Sequence, residues 1–89
     1  MRTQRVLDSP QVRLRVAEFL KHTKARGLHS ALARATFIGV HHATVGRIEG
    51  GERCGERFIA QVLAAFPQLK FEDLFEIAVP ADQSLRDAS

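Results

Sequence analysis

Residues 31–50, ALARATFIGVHHATVGRIEG, contain two short helical patterns that are separated by a glycine. Ala35 supplies a small side chain where two helices can cross, and Gly39 follows where a tight turn needs a positive φ. Val45 and Ile48 are one helical turn apart, so they lie on one face of the second helix. Two helices joined by a three- or four-residue turn must pack at a steep angle, and these residues meet that requirement. The stretch predicts a helix-turn-helix.

Helical patterns also lie on both sides of this stretch. Ser9-Pro10 is typical of a helix start, and apolar residues at helical spacing continue from there toward Gly27. A fourth helix is predicted over about 56–66 and a fifth over about 70–78. Five short helices joined by short loops predict a compact all-α domain.

The predicted organisation is one domain with short extensions at both ends, as expected for a chain of 89 residues. The domain covers 10–79, with the helix-turn-helix at about 30–49. Residues 1–9 carry two arginines and are predicted to form a basic arm. Residues 80–89 are polar and are predicted to form a flexible tail.

Charge is distributed unevenly along the chain. Residues 1–48 hold nine Lys and Arg side chains against two acidic ones, whereas residues 49–89 hold four against eight. A basic half joined to an acidic half indicates a face that binds a polyanion. The alternative is that the helices carry solvated cations on their outer faces.

Several classes of protein are excluded by what the sequence lacks. The lone Cys54 allows no internal disulfide and no cysteine-rich zinc site, and the histidines do not have metal-ligand spacing. No apolar run has the length of a membrane span or a signal peptide. We find no nucleophile–base pair and no phosphate loop. We therefore expect a cytoplasmic, nucleoid-associated protein that is not an enzyme and needs no metal or cofactor.

The segment GVHHATVGRIEGGER, residues 39–53, resembles the phage-repressor, Cro and Xre-type helix-turn-helix family. That family often reads Gly-Val-Ser-x-x-Thr-Val/Ile-Ser-x-Ile/Leu-Glu-x-Gly at this place. The segments 57–59 and 71–75 resemble its fourth and fifth helices, so the likeness covers about residues 10–78. The resemblance implies a five-helix, lambda-repressor-like domain that binds a palindromic DNA operator as a dimer and regulates transcription.

The chain departs from the family pattern at the helix-turn-helix. Arg34 stands where leucine is usual, and the segment 27–39 is one residue longer than usual. His41 is a poorer helix N-cap than the usual serine or threonine. The resemblance also implies that Glu49 pairs with a basic residue of the first helix, for which Lys24 and Lys21 are candidates.

The face of the third helix that can read bases follows from its geometry. Because Val45 and Ile48 point inward, the exposed face consists of four residues: His42, Ala43, Gly46 and Arg47. An arginine there can donate two hydrogen bonds to guanine, and an alanine can contact a thymine methyl group. Two alternatives stay open. Gly46 either allows DNA to come close to the helix or is a tolerated weakness of the helix. Arg47 is either a base reader or an ordinary solvated side chain.

A second group is expected to contact DNA phosphates: Ser30, Thr44, Gly50, Arg53 and Arg57. Thr44 lies beside the reading face, and Gly50 lets the main chain come close to a phosphate. Arg53 and Arg57 sit where the family often contacts phosphates. The start of the fourth helix can also present free N–H groups to an anion.

The expected partners are double-stranded DNA and a second copy of the chain. The resemblance places the dimer contacts on the fourth and fifth helices, where Phe58, Phe71 and Phe75 are candidates. Two linked domains bind DNA far better than one. The alternative function is an antitoxin-type module that binds a toxin partner and regulates itself through DNA binding.

Overall fold

The computed structural model describes residues 10–79, which form five helices and a two-stranded antiparallel sheet. In chain order the elements are β1 (Gln11–Leu14), α1 (Val16–Ala25), α2 (Ala31–Ile38), α3 (His42–Glu49), α4 (Glu56–Ala65), α5 (Phe71–Leu74) and β2 (Phe75–Ala78). The arm predicted over 1–9 and the tail predicted over 80–89 lie outside the described residues. In the part of the chain that is described, no helix is long and apolar enough to cross a membrane.

The all-α prediction is wrong, because the two ends of the domain pair as strands. β1 runs antiparallel to β2, with Leu14 opposite Phe75 and Val12 opposite Ile77. Helix α1 accordingly begins after β1 and not near Pro10, and α5 is a single turn that passes directly into β2. Backbone groups of each segment that face the other strand are paired across the sheet, and the carbonyl of Val12 on the outer edge of β1 accepts a hydrogen bond from the N–H of Cys54.

The two helices of the predicted helix-turn-helix are confirmed. Ser30 is the N-cap of α2, and its hydroxyl oxygen accepts a hydrogen bond from the N–H of Ala33 at 3.0 Å. Gly39 ends α2 in the left-handed conformation at φ +88°, and its N–H donates to the carbonyl of Ala35 at 2.8 Å. Residues 39–41 join α2 to α3, so the turn has the three-residue length expected for a helix-turn-helix.

The core draws side chains from every helix and from both strands. Its buried apolar residues are Leu14, Phe19, Ala35, Ile38, Val45, Ile48, Cys54, Phe58, Val62, Phe66, Leu74 and Phe75. The ring of Phe58 packs against those of Phe19 and Phe75, with centroids 6.5 Å and 6.4 Å away. The sheet is thereby attached to the centre of the helical core.

Glu49 pairs with a residue of α2 and not with α1. The guanidinium of Arg34 donates from Nε and Nη2 to the two carboxylate oxygens of Glu49, at 2.7 Å and 3.0 Å. The expected pairing with Lys24 or Lys21 is wrong; the latter pairs with Glu18 instead. Arg34, the departure from the expected pattern, thus links the end of α3 to α2 through a largely buried, two-bond ion pair.

Candidate nucleic-acid interface

Helix α3 presents the predicted face to solvent. Val45 and Ile48 are buried against the core, with 0% and 4% of their surface exposed. The four residues expected to read bases are all exposed: His42, Ala43, Gly46 and Arg47. A Cβ added at Gly46 would meet no protein atom within 4 Å, so nothing inside the protein requires glycine there.

Two histidines form the beginning of α3. His41 is the N-cap, and its Nδ1 accepts a hydrogen bond from the N–H of Ala43 at 3.1 Å. Its ring stacks on that of His42, with a centroid separation of 4.8 Å. An imidazole nitrogen therefore takes the place of the serine or threonine oxygen that usually caps such a helix.

Three of the residues expected to bind phosphates converge on one depression between α3 and α4. Thr44, Arg53 and Arg57 line this depression, which has a volume of about 270 Å³, and Arg47 lies at the same surface. We call it the arginine depression. Three guanidinium-bearing side chains around a shallow, open surface favour a phosphate over a neutral ligand.

A second depression, of about 330 Å³, adjoins the first. It shares Thr44, Arg57 and Phe58 with the arginine depression and extends to His41 at the start of α3. Polar and cationic groups therefore run along one side of α3 from its first turn to the loop that follows it.

The remaining two predicted phosphate residues are placed differently. Ser30 does not line the arginine depression, and its hydroxyl oxygen already caps α2. The N–H of Gly50 donates to the carbonyls of Gly46 and Arg47, both at 3.1 Å, so this group is engaged within the protein. A larger groove of about 570 Å³ lies between α1 and α2 and holds none of the predicted DNA-contacting residues.

The sheet fixes the loop that follows α3. Arg13 of β1 donates a hydrogen bond from Nη1 to the carbonyl of Gly51, and the N–H of Cys54 donates to the carbonyl of Val12 at 2.7 Å. This loop carries Arg53, one of the residues of the arginine depression. No helical pattern in the sequence could reveal this support, because it depends on the strand pairing.

Glu52 is a further residue of the arginine depression that the sequence analysis did not single out. Its Oε2 lies 3.4 Å from the Nε of Arg47. Its own N–H donates to the carbonyl of Arg47 at 3.1 Å, so the loop returns to the end of α3 at this point. The only signal in the sequence is an acidic residue among three nearby arginines.

The phenylalanines expected at a dimer interface are needed inside the protomer. Phe58 and Phe75 are 4% and 2% exposed, and their rings contact each other edge to face. Phe71 is half-buried and stacks on Phe75 at 5.2 Å. The buried rings of Phe58 and Phe75 are not available to a second copy, whereas Phe71 keeps part of its surface exposed. The exposed apolar side chains of this region are Ile77 and Val79, with 56% and 61% of their surface accessible.

Cys54 belongs to the core and not to the interface. Burial raises the pKa of its thiol to about 11, although the charge of Arg13 opposes that shift. The thiol is therefore protonated at neutral pH and a poor nucleophile. Among residues 10–79, no group of three or more His, Cys, Asp or Glu side chains could hold a metal ion.

No family model matches the chain, and no curated protein or solved structure is significantly similar to it. The functional assignment accordingly rests on the residues of α3, α4 and the loop between them.

Proposed function

We propose that this protein is a small, sequence-specific DNA-binding regulator of transcription, of the repressor or Cro type, that acts in the cytoplasm on the nucleoid. The observation that carries the proposal is the arginine depression. Thr44, Arg53 and Arg57 gather there beside Arg47 and the exposed face of α3. A helix with an exposed polar face and cations along one side suits the major groove and the phosphates that border it.

Under this proposal, α3 enters the major groove with its exposed face toward the base edges. Arg47 is the principal base reader, because a guanidinium can donate two hydrogen bonds to O6 and N7 of guanine. Ala43 contacts a thymine methyl group. Gly46 leaves the DNA-facing side of α3 without a side chain, and its surroundings in the protein are open.

The arginine depression receives a phosphate beside that groove. Arg53 and Arg57 are exposed and border it on the α4 side, while Thr44 adds a hydroxyl from α3. Contacts of this kind fix the position of the protein on DNA without reading sequence. They also make the affinity depend on salt, since each neutralised phosphate releases counterions.

Two copies would bind two half-sites related by two-fold symmetry. Phe58 and Phe75 are occupied by the core, so we place the contact between copies at the exposed side of β2. Ile77 and Val79 are exposed there, and β2 has one edge without a neighbouring strand within residues 10–79. An unpaired edge with exposed apolar side chains favours pairing with a second chain.

Selection of bound sequences from random duplex DNA by the full chain tests the proposal. The expected result is enrichment of one short motif, arranged as two half-sites with two-fold symmetry. Enrichment of a single, unrepeated half-site would support sequence-specific binding but would contradict binding as a dimer. No enrichment, with equally weak binding of every sequence, would overturn the proposal.

A further inference from the structure

An acidic side chain lies within the cationic surface that is proposed to bind DNA. Glu52 lines the arginine depression, and its carboxylate is 3.4 Å from the Nε of Arg47. Both side chains are about half exposed, at 53% and 56%. An exposed ion pair of this kind contributes little to folding. A carboxylate beside expected phosphate contacts also lowers general affinity for DNA. Neither folding stability nor general DNA affinity therefore accounts for Glu52.

We propose that Glu52 is a specificity-determining residue, which positions Arg47 for base reading and discourages its use on phosphates. This inference rests on the proposed function. Glu52 does not touch the bases itself, and it acts through the arginine.

The geometry of the ion pair leaves the reading groups of Arg47 free. A guanidinium has five N–H donors, and the contact with Glu52 uses the single one at Nε. The donors at Nη1 and Nη2 remain for O6 and N7 of guanine, which require two. An arginine already held at Nε also loses less conformational freedom when it meets its base.

The loop holds Glu52 at a defined place relative to α3. Its N–H donates to the carbonyl of Arg47, and the preceding residue, Gly51, accepts a hydrogen bond from Arg13 of β1. The backbone that carries Glu52 is thus held by a main-chain hydrogen bond to α3 and by the Arg13 side chain of β1. A negative charge there repels a phosphate that approaches Arg47 more strongly than it repels the neutral edge of a base.

Removal of the carboxylate tests the inference. In Glu52→Ala, affinity for random duplex DNA should rise by about three- to ten-fold, while affinity for the selected site changes less. The ratio of the two affinities therefore falls. Glu56→Ala is the matched control, because it removes the same charge from an exposed position in the first turn of α4. It should change both affinities alike and keep the ratio.

The same substitution in an Arg47→Ala background separates positioning from general charge. With no arginine to position, Glu52→Ala should leave the ratio of affinities unchanged. If Glu52→Ala lowers the ratio of affinities equally in both backgrounds, the inference is wrong. Identical effects of Glu52→Ala and Glu56→Ala would also overturn it. Failure of the proposed function is visible separately, since wild-type protein would then bind no selected sequence better than random DNA. Thermal unfolding verifies that every variant is folded.

Discussion

The middle of the chain and its two ends differ in what determines their secondary structure. Helices α2 and α3 lie where the sequence predicts them, with Gly39 at the turn and Val45 facing inward. The ends, Gln11–Leu14 and Phe75–Ala78, are predicted as helix and are strands. The middle is determined by contacts between residues close in sequence. The ends are determined by pairing between segments that are far apart, which a local pattern cannot specify.

The largest effect on stability is expected at the sheet, where Phe75 is buried while Ile77, on the same face of β2 but farther along the strand, is mostly exposed. Phe75→Ala should cost about 3–5 kcal/mol of unfolding free energy, because it empties a buried aromatic site. Ile77→Ala should cost less than about 1 kcal/mol, since that side chain is 56% exposed. Urea unfolding measures both, and Phe75→Leu substitutes if the alanine variant does not fold. Equal costs at the two positions would contradict this placement of β2, in which Phe75 lies in the core and Ile77 lies outside it.

A smaller effect is expected at the turn of the helix-turn-helix. Gly27 and Gly39 both have positive φ, at +79° and +88°. A Cβ at Gly27 meets nothing within 4 Å, whereas one at Gly39 would lie 2.8 Å from Nε2 of Gln61. Gly27→Ala should therefore destabilise by about 1 kcal/mol, from the backbone conformation alone. Gly39→Ala should cost about 2–3 kcal/mol.

The difference at Gly39 comes from hydrogen bonds that Gln61 must give up. Its Nε2 donates to the carbonyls of Ile38 and Gly39, at 3.0 Å and 3.2 Å, and so satisfies the end of α2 from α4. In a Gln61→Ala background the extra cost of Gly39→Ala should disappear. Chemical unfolding of the four proteins gives this coupling. An unchanged extra cost in that background would assign the effect to backbone strain alone.

The smallest effect on stability is expected on the exposed face of α3. Gly46→Ala should stabilise the fold by about 1 kcal/mol, because alanine is the better helix former and the site is open. Affinity for the selected DNA should nevertheless fall, since the added methyl group lies on the face that approaches the groove. Ala60→Gly, on the exposed side of α4, is the control: stability should fall by about 1 kcal/mol without an effect on DNA. Unchanged affinity in Gly46→Ala would leave the glycine a tolerated weakness of the helix.

Local sequence patterns predict the helical middle of the chain. Ser30, Gly39, Val45 and Ile48 determine α2, α3 and the exposed face by local rules of capping, turn conformation and helical spacing. Only a weaker signal could have predicted the sheet: polar and apolar residues alternate over Gln11–Leu14 and over the first three residues of Phe75–Ala78. Four residues are too few to separate that alternation from a helical stripe.

The partners of the ion pairs around α3 could not be predicted from local patterns. Arg34 reads as a departure from the family pattern, and only the fold brings it to Glu49 with two hydrogen bonds. The contact of Glu52 with Arg47 likewise requires the loop to return to the end of α3. The sequence therefore singled out Arg47, Arg53 and Arg57 as candidates, and the structure brings them to one depression and gives Arg47 an acidic partner.

In the proposed complex Arg47 reads bases while Arg57 binds the DNA backbone, and binding measurements on two DNAs separate these two roles. Affinities of wild type, Arg47→Ala and Arg57→Ala are measured on the selected site and on random duplex DNA across a salt series. Arg47→Ala should lose about 1–3 kcal/mol per half-site on the selected DNA and relax the preference at one base pair. Arg57→Ala should weaken both DNAs by similar factors and lower the salt slope by about one per half-site. If Arg47→Ala weakens both DNAs alike, then Arg47 contacts a phosphate, and the placement of α3 in the major groove is wrong.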